Sequence, residues 1–373
     1  MRLAMTVNSL RHGRRNKAQD SGGIVVGMKS KKYLLIFTVI SVLFFFTGCG
    51  AGSSGREPIR TERNFQLGTI VELSVYKGGN RNILPEAFAL VSVLEDKLSR
   101  NKELSEISAI NKNAGIAPVQ VSDDTFFLFE KSIYYSEFSK GFFDITVGPV
   151  VSLWGIGTEK PRVPSNKEID NVLGLIDYRK VKLTPSDHMV YLKEKGMEID
   201  LGAIAKGYVA DKVYEFFVNN GVKSAIINLG GDIRLLGKKP DGKSFRIGIQ
   251  TPFDSRGVPV GIYEGEEISI ITSGIYERYF EEDGIKYHHI FNPKTGYPAD
   301  NDIMGITIIT NTSTDGDALS TSLFMLGSKG ALALAENIKD TEVIIITKDK
   351  KIVLSSGIGN NFTLTNNDFV IDK

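Results

Sequence analysis

Residues 197–232 read MEIDLGAIAKGYVADKVYEFFVNNGVKSAIINLGGD, and the order of elements in this stretch decides the fold class. Met197 to Leu201 has the make-up of a short strand ending at Gly202. From Lys206 to Asn219, Val209, Val213, Phe216 and Phe217 share one stripe at helical spacing, and Gly221 supplies the stop. Ala225 to Leu229 is an apolar strand running into Gly230-Gly231-Asp232, a turn that needs a permissive backbone. Upstream, Thr69 to Tyr76 alternates as a strand, while Leu84 to Leu98 and Asp124 to Phe138 read as helices, the second stopped by Gly141. Val181 to Leu183 and Met189 to Leu192 are short strands around Pro185-Ser-Asp. Downstream come strands at Arg246–Thr251, Ile268–Thr272, Tyr287–Phe291 and Gly305–Ile309, then helices at Ala318–Leu326 and Lys329–Asn337. A hairpin of Glu342–Thr347 and Lys351–Ser355 closes the pattern. Strands and helices interleave without a repeat period, which predicts an α+β fold with a mixed sheet and two packed subdomains rather than a parallel barrel.

Composition narrows the function classes. Residues 1–48 hold eight Lys/Arg and one Asp, so the remaining 325 residues carry 37 basic against 43 acidic side chains, a net of −6. That charge leaves no basic footprint for nucleic acid. The single cysteine, Cys49, excludes an intramolecular disulfide framework and a Cys-rich metal site. It follows Met28-Lys-Ser-Lys-Lys, a 14-residue apolar run from Tyr33 to Phe46, and Thr47-Gly48, which is the pattern of a bacterial lipoprotein signal. The run is shorter than the roughly 20 residues a spanning helix needs. The expected organisation is an upstream extension at 1–27, a signal peptide at 28–48, a flexible Gly/Ser linker at 49–62 and the folded domain at 63–365. The mature chain is then lipid-anchored through Cys49 on the extracytoplasmic face of the cell membrane.

Four segments carry chemistry. Asp317 and Thr321 lie four apart, so a helix beginning near Asp317 puts a carboxylate and a hydroxyl on one face of its first turn. Such hard oxygens suit Mg²⁺ or Ca²⁺ better than zinc, although on this segment alone an N-cap Asp beside a helical Thr is the simpler account of the pair. Asp200 to Gly207 offers a glycine turn, a helix start and Lys206, a geometry that receives phosphate and also that of an ordinary strand-to-helix turn. His288 and His289 are adjacent, so on a strand they face opposite ways and one of them points into the site. Phe142 and Phe143 before Asp144 either wall an aromatic ligand or belong to the core.

Together these segments resemble the ApbE family, the FAD:protein FMN transferases. The likeness runs from about Arg63 to Asn337 and includes Leu67-Gly-Thr69, Ser105-Glu-Ile-Ser108, Phe143-Asp144, Val147-Gly-Pro149, Leu153-Trp-Gly155, Gly202 to Gly207, Asn228 to Gly231, Thr272-Ser-Gly274, Tyr276-Glu-Arg278, His288 to Pro298 and Asp317 to Thr321. The resemblance implies a T-fold-related architecture and a reaction in which FAD is split, FMN passes to a Thr or Ser hydroxyl of an exported acceptor protein, and AMP leaves. It implies Mg²⁺, with Ca²⁺ as the alternative, held by Asp317, Thr321 and the carbonyl of Ala203. It also implies that Leu67, Asn101, Phe142, Phe143, Asp144, Asp200, Lys206, Thr272, His289 and Ile290 contact FAD, with His289 and Asp317 as the catalytic pair. Two positions depart from the family pattern: Leu67 stands where Met is common, and Asn101 where an aromatic would stack on the flavin, with Tyr134 or Tyr135 as substitutes. Two other activities remain open, a Mg²⁺-dependent FAD pyrophosphatase and a non-catalytic flavin-binding lipoprotein.

Overall fold

Ile303–Thr310, IMGITIIT, is buried on both faces: Ile306 and Ile308 enter one apolar core and Ile309 another. Its neighbour Thr341–Thr347 alternates likewise, Val343 and Ile345 against Ile344 and Ile346. A strand covered on both sides needs this near-continuous run of β-branched residues. The computed structural model describes residues 59–254 and 257–372. The extension at 1–27, the signal peptide at 28–48 and Cys49 lie outside the described residues.

In chain order the elements are β1 (Arg60–Gln66), β2 (Thr69–Gly78), α1 (Ile83–Leu98), α2 (Glu106–Lys112), β3 (Val119–Gln120), α3 (Asp123–Phe138), α4 (Gly148–Trp154) and α5 (Asn166–Leu173). There follow β4 (Val181–Thr184), β5 (Met189–Leu192), α6 (Ala205–Asn219), β6 (Val222–Leu229), β7 (Asp232–Leu236), β8 (Phe245–Gln250), β9 (Pro259–Gly265) and β10 (Ser269–Gly274). The last are β11 (Tyr279–Glu282), β12 (Ile285–His288), β13 (Ile303–Thr310), α7 (Ser313–Phe324), α8 (Gly327–Ala335), β14 (Thr341–Thr347), β15 (Lys351–Leu354), β16 (Phe362–Leu364) and β17 (Val370–Asp372).

Nine strands form the main sheet in the order β1-β2-β6-β7-β10-β13-β14-β15-β17. It is mixed, since β15 and β17 are parallel while the other neighbours run antiparallel. One face packs on α1, α6, α7 and α8 through Phe88, Val91, Val209, Val213, Leu319 and Ala331. The other packs on the small sheet β16-β9-β8 through Phe245, Ile247, Val260 and Phe362. The fold is therefore α+β, with two cores sharing one sheet. A third cluster surrounds Trp154, whose indole N–H donates to the Gly296 carbonyl at 2.8 Å. Among the described residues no helix is long and apolar enough to cross a membrane.

The structure corrects several local expectations. Met197–Leu201 is not a strand, and only Glu198 bridges, to Val147. The reason is competition for its backbone: Asn111 takes both the N–H (2.7 Å) and the carbonyl (3.1 Å) of Ile199, and the Asp200 N–H goes to the Ile145 carbonyl. The strand expected at Tyr287–Phe291 ends at His288, and Phe291 pairs separately with Pro298. The helix expected from Ala318 begins at Ser313, because Thr312 caps it by accepting the Asp315 N–H. Asp317 therefore sits in its second turn rather than its first. Strand β1 starts at Arg60, inside the stretch read as linker; its polar sequence RTERNFQ hides an exposed edge strand paired with β2. The unexpected α5 carries a legible signal, a capping box in which Ser165 and Glu168 bond each other's backbone.

Candidate active site

The site grows from the contact between α6 and α7. Gly207 lies where the two helices touch: a Cβ there would stand 2.1 Å from the Ser313 carbonyl oxygen and 2.9 Å from the Cβ of Asp317. Because the residue is glycine, its N–H reaches Asp317 Oδ2 at 2.9 Å. Asp211, one turn further along α6, accepts the N–H groups of Ser313 and Thr314, both at 2.8 Å, and so fastens the start of α7. The Lys206 ammonium is 3.1 Å from Asp317 Oδ1 and 2.7 Å from Asp232 Oδ2. Asp232 opens β7 directly after Gly230-Gly231, whose φ values of 71° and 108° make the tight turn from β6. Its other oxygen accepts the Thr272 N–H at 3.3 Å.

Asp317 and Asp232 are only 3% and 4% exposed, so this is a nearly dry array of two carboxylates about one cation. Burial disfavours the charge on Lys206, yet Asp232 and Asp317 outweigh it and raise its pKa above the ordinary lysine value. The Asp317 carboxyl is pushed up, chiefly by burial, with Lys206 pulling the other way and Asp232 adding repulsion. Two buried carboxylates thus share one ammonium.

The two histidines divide, His288 as the last residue of β12 and His289 in the bend that follows it. His288 is buried, and its Nε2 lies 2.9 Å from the Ala299 carbonyl while its Nδ1 faces the Ile290 N–H at 3.3 Å. A carbonyl only accepts, so Nε2 carries the proton and Nδ1 is the acceptor. Burial pushes this ring down to about 4. His289 has the opposite tautomer: its Nδ1 is 3.1 Å from the Arg278 carbonyl and must donate, which leaves Nε2 as an acceptor. Its pKa is depressed to about 3, first by enclosure in protein and then by the positive charge of Arg278, with Lys206 adding to the effect. The ring thus stands, neutral, in the field of the ammonium that binds Asp317.

The other expected residues spread around this centre. Asp200 accepts from Arg100 at 2.9 Å and from the Gly202 N–H at 2.7 Å. Thr272 shares a hydroxyl contact of 2.9 Å with Thr307 on β13. Leu67, with φ 55°, forms the two-residue turn between β1 and β2 with Gly68. Asn101 is exposed in the loop after α1. Phe142 carries the Lys294 ammonium 3.7 Å from its ring centroid, whereas Phe143 is core, 1% exposed. Asp144 accepts from the Thr146 N–H and hydroxyl and the Tyr178 N–H, and burial still raises its carboxyl. A cavity of about 470 Å³ opens beside Asp144, Tyr178 and Lys294. Ile290 is buried, and Tyr135 is committed to Asp315 by a 2.8 Å bond, which leaves Tyr134 the exposed aromatic of the two.

Sequence reasoning missed Arg100, which joins Glu198 (2.6 Å) and Asp200 across the entry to α6, and gave Asp232 only a turn role. Nothing local marks Arg100, because its partners are about a hundred residues away. The Gly-Gly turn was the available signal for Asp232, since a turn of that kind brings the next backbone close to a ligand.

Among the described residues no three His, Cys, Asp or Glu side chains gather as a metal cluster. The donor set that the resemblance implies is of mixed type: the Asp317 carboxylate, the hydroxyl of Thr321 four residues on in α7, and the carbonyl of Ala203 just before α6. The Gly207 amide, in the first turn of α6 where amides have no partner within the helix, is engaged by Asp317. Oxygen donors from carboxylate, hydroxyl and carbonyl suit Mg²⁺ completed by water and substrate.

The sequence model of the ApbE family matches residues 67–345 of this chain. The chain is 34% identical to the FAD:protein FMN transferase of Treponema pallidum (strain Nichols) over 358 residues, 91% of this chain and 98% of that protein. It is 38% identical to one from Klebsiella pneumoniae (strain 342) over 291 residues, 78% of this chain and 90% of that one. The crystal structure of the ApbE protein from Thermotoga maritima superposes with a TM-score of 0.75 at 30% identity, covering 82% of this chain and 99% of the other.

Proposed function

This chain belongs to the ApbE family and is a transferase, and from that premise we propose that it moves FMN from FAD to a Thr or Ser hydroxyl of exported acceptor proteins, releasing AMP. The observation that carries the proposal is the Lys206 ammonium held between buried Asp232 and Asp317 with the neutral His289 in its field. In the reaction the acceptor oxygen bonds to the phosphorus bearing the riboflavin chain. The bond from that phosphorus to the bridging oxygen breaks, and AMP leaves with the electron pair. Phosphoryl transfer of this kind asks the protein for position and charge neutralisation rather than covalent help.

Each residue has a part in that scheme. Lys206, free to turn from Asp317 while still bonded to Asp232, meets the diphosphate. His289 offers the Nε2 lone pair to the acceptor hydroxyl, and the arriving phosphates, being negative, raise the ring's affinity for the proton. Asp317, Thr321 and the Ala203 carbonyl would hold Mg²⁺, which when bound supplies positive charge to the phosphate oxygens. Phe142, Asp144 and the cavity beside them offer a wall for the flavin, and Arg100 steadies Asp200 at the rim. The same reading has residues 28–48 removed and Cys49 acylated, so that the enzyme works tethered outside the cytoplasmic membrane; the short apolar run before Cys49 supports it. Incorporation of an alkynyl fatty acid that disappears in Cys49→Ala tests the tether.

Incubation with FAD, Mg²⁺ and an acceptor protein tests the chemistry. The expected result is an acceptor band that stays fluorescent after denaturation, formed at least about 100-fold more slowly by Asp317→Ala. Free FMN and AMP with no labelled acceptor would mean hydrolysis instead.

A further inference from the structure

Of the cations around the centre, two are already matched by carboxylates. Lys206 lies between Asp232 and Asp317, and Arg100 between Glu198 and Asp200. Arg278, in the turn between β10 and β11, is different: among the described residues its guanidinium meets no hydrogen-bond acceptor and no carboxylate. The residue is exposed, which is ordinary for an arginine, so the argument rests on where the side chain lies.

The Arg278 backbone is tied to His289 twice over, since its carbonyl accepts both the His289 amide and the ring Nδ1, each at 3.1 Å. From that anchor the side chain passes two glycines. Its Cδ is 4.0 Å from where a Cβ on Gly157 would stand, and its Nη2 is 3.9 Å from where one on Gly68 would stand. Both glycines have positive φ, 86° and 68°, so each turn shows bare backbone to the arginine. The guanidinium therefore rests against the turn between β1 and β2, next to Leu67, with His289 at the root of its side chain. Its charge reaches the imidazole: after burial, Arg278 is the largest influence lowering the His289 pKa, and Lys206 acts on the same ring. One histidine thus feels both the matched ammonium and the unmatched guanidinium.

Two carboxylates against one ammonium leave the centre no positive charge to spare for an incoming diphosphate. Resting on the transfer of FMN from FAD, we propose that Arg278 binds the diphosphate of FAD, with its guanidinium on the non-bridging oxygens, and stays with the AMP phosphate as the bond to the bridging oxygen breaks. A planar fork of N–H donors matches phosphate oxygens in a way that a point charge does not. A fixed positive charge beside the breaking bond lowers the cost of the negative charge that AMP carries away.

Flavin fluorescence quenching of the full chain with FAD and with riboflavin, in the presence of Mg²⁺ and without an acceptor, tests the assignment. Arg278→Gln is expected to bind FAD at least about tenfold more weakly than the wild type. Riboflavin, which has no phosphate, should bind both proteins equally, and the unfolding midpoint should not move because the side chain is exposed. Arg278→Lys keeps the charge but not the fork and is expected to fall between the two. An unaltered FAD affinity in Arg278→Gln overturns the proposal. So does an equal loss for FAD and riboflavin, which would make the residue a support for the His289 bend and nothing more. A wild-type protein that binds no FAD at all would sink the transferase reading itself, and this assignment with it.

Discussion

Replacing Gly207 by alanine tests the geometry of the site at its narrowest point. The added methyl would sit 2.1 Å from the backbone oxygen of Ser313, where ordinary contact begins near 3.4 Å, so α6 and α7 must part by about 1 Å. Neither neighbour is the flexible end of a side chain. Parting the helices stretches the 2.9 Å bond from the Gly207 N–H to Asp317 to nearly 4 Å, which abolishes it. Overpacking costs about 1–3 kcal/mol and the lost bond to a carboxylate about 1.5–3, while alanine returns about 1 through helix propensity. The expected net loss is about 2–5 kcal/mol, with turnover of FAD falling because Asp317 is displaced. Urea unfolding supplies the stability and release of AMP supplies the turnover. Gly174→Ala is the control, since φ is −63° there and a Cβ meets nothing within 4 Å; it should be neutral or up to about 1 kcal/mol stabilising. A Gly207→Ala protein with wild-type midpoint and wild-type turnover would refute the argument.

Lys206→Met leaves Asp232 and Asp317 buried without their cation, and should destabilise the fold by about 3 kcal/mol at pH 7 and abolish turnover, read by the same two assays. His288 should impose a stability slope in acid. Its folded pKa, about 4, lies below the ordinary 6.5, so its contribution is complete above pH 6.5 and is lost as pH falls toward 4. Between pH 6.5 and 5 the loss from this group should approach about 2 kcal/mol, and the slope should flatten in His288→Gln; an unchanged slope contradicts the buried neutral ring. Removal of divalent ions by chelation should stop turnover, and FAD should bind more tightly with Mg²⁺ present than without it, measured by flavin fluorescence quenching; equal affinity would count against a cation that shares the phosphates.

Much of the fold is legible because burial writes a period into the chain. The apolar runs of β6, β13 and β14 and the stripe of α6 announce themselves, being buried on two faces or along one side. Strand β1 does not, since an edge strand facing water needs no apolar residue and RTERNFQ has one. Met197–Leu201 misleads for a different reason. Its residues have strand preferences, but strand structure requires a neighbouring backbone, and Asn111 and Ile145 reach those hydrogen-bonding groups first. Neither loss can be repaired from local sequence, because the deciding partner lies elsewhere in the chain.

The candidate site divides along the same line. The separate fates of His288 and His289 were expected from an alternating strand, but β12 ends at His288, and it is the bend after it and the bonds to the Ala299 and Arg278 carbonyls that divide the two rings. Asp317 and Lys206 stand out as a carboxylate on a helix and a lysine after a glycine turn, but their pairing depends on Gly207 letting two helices touch, a contact between residues about 110 apart. Thr321 was legible from its spacing to Asp317, whereas Ala203, Leu67 and Asn101 were chosen by resemblance and not by physics. What binds the centre together is the unequal count of two buried carboxylates and one ammonium. With Lys206 satisfied by Asp232, the oxygen of Asp317 is the one that a second cation could take without leaving a buried charge alone, so the metal-dependent chemistry proposed above would draw on this pair and not on either aspartate by itself.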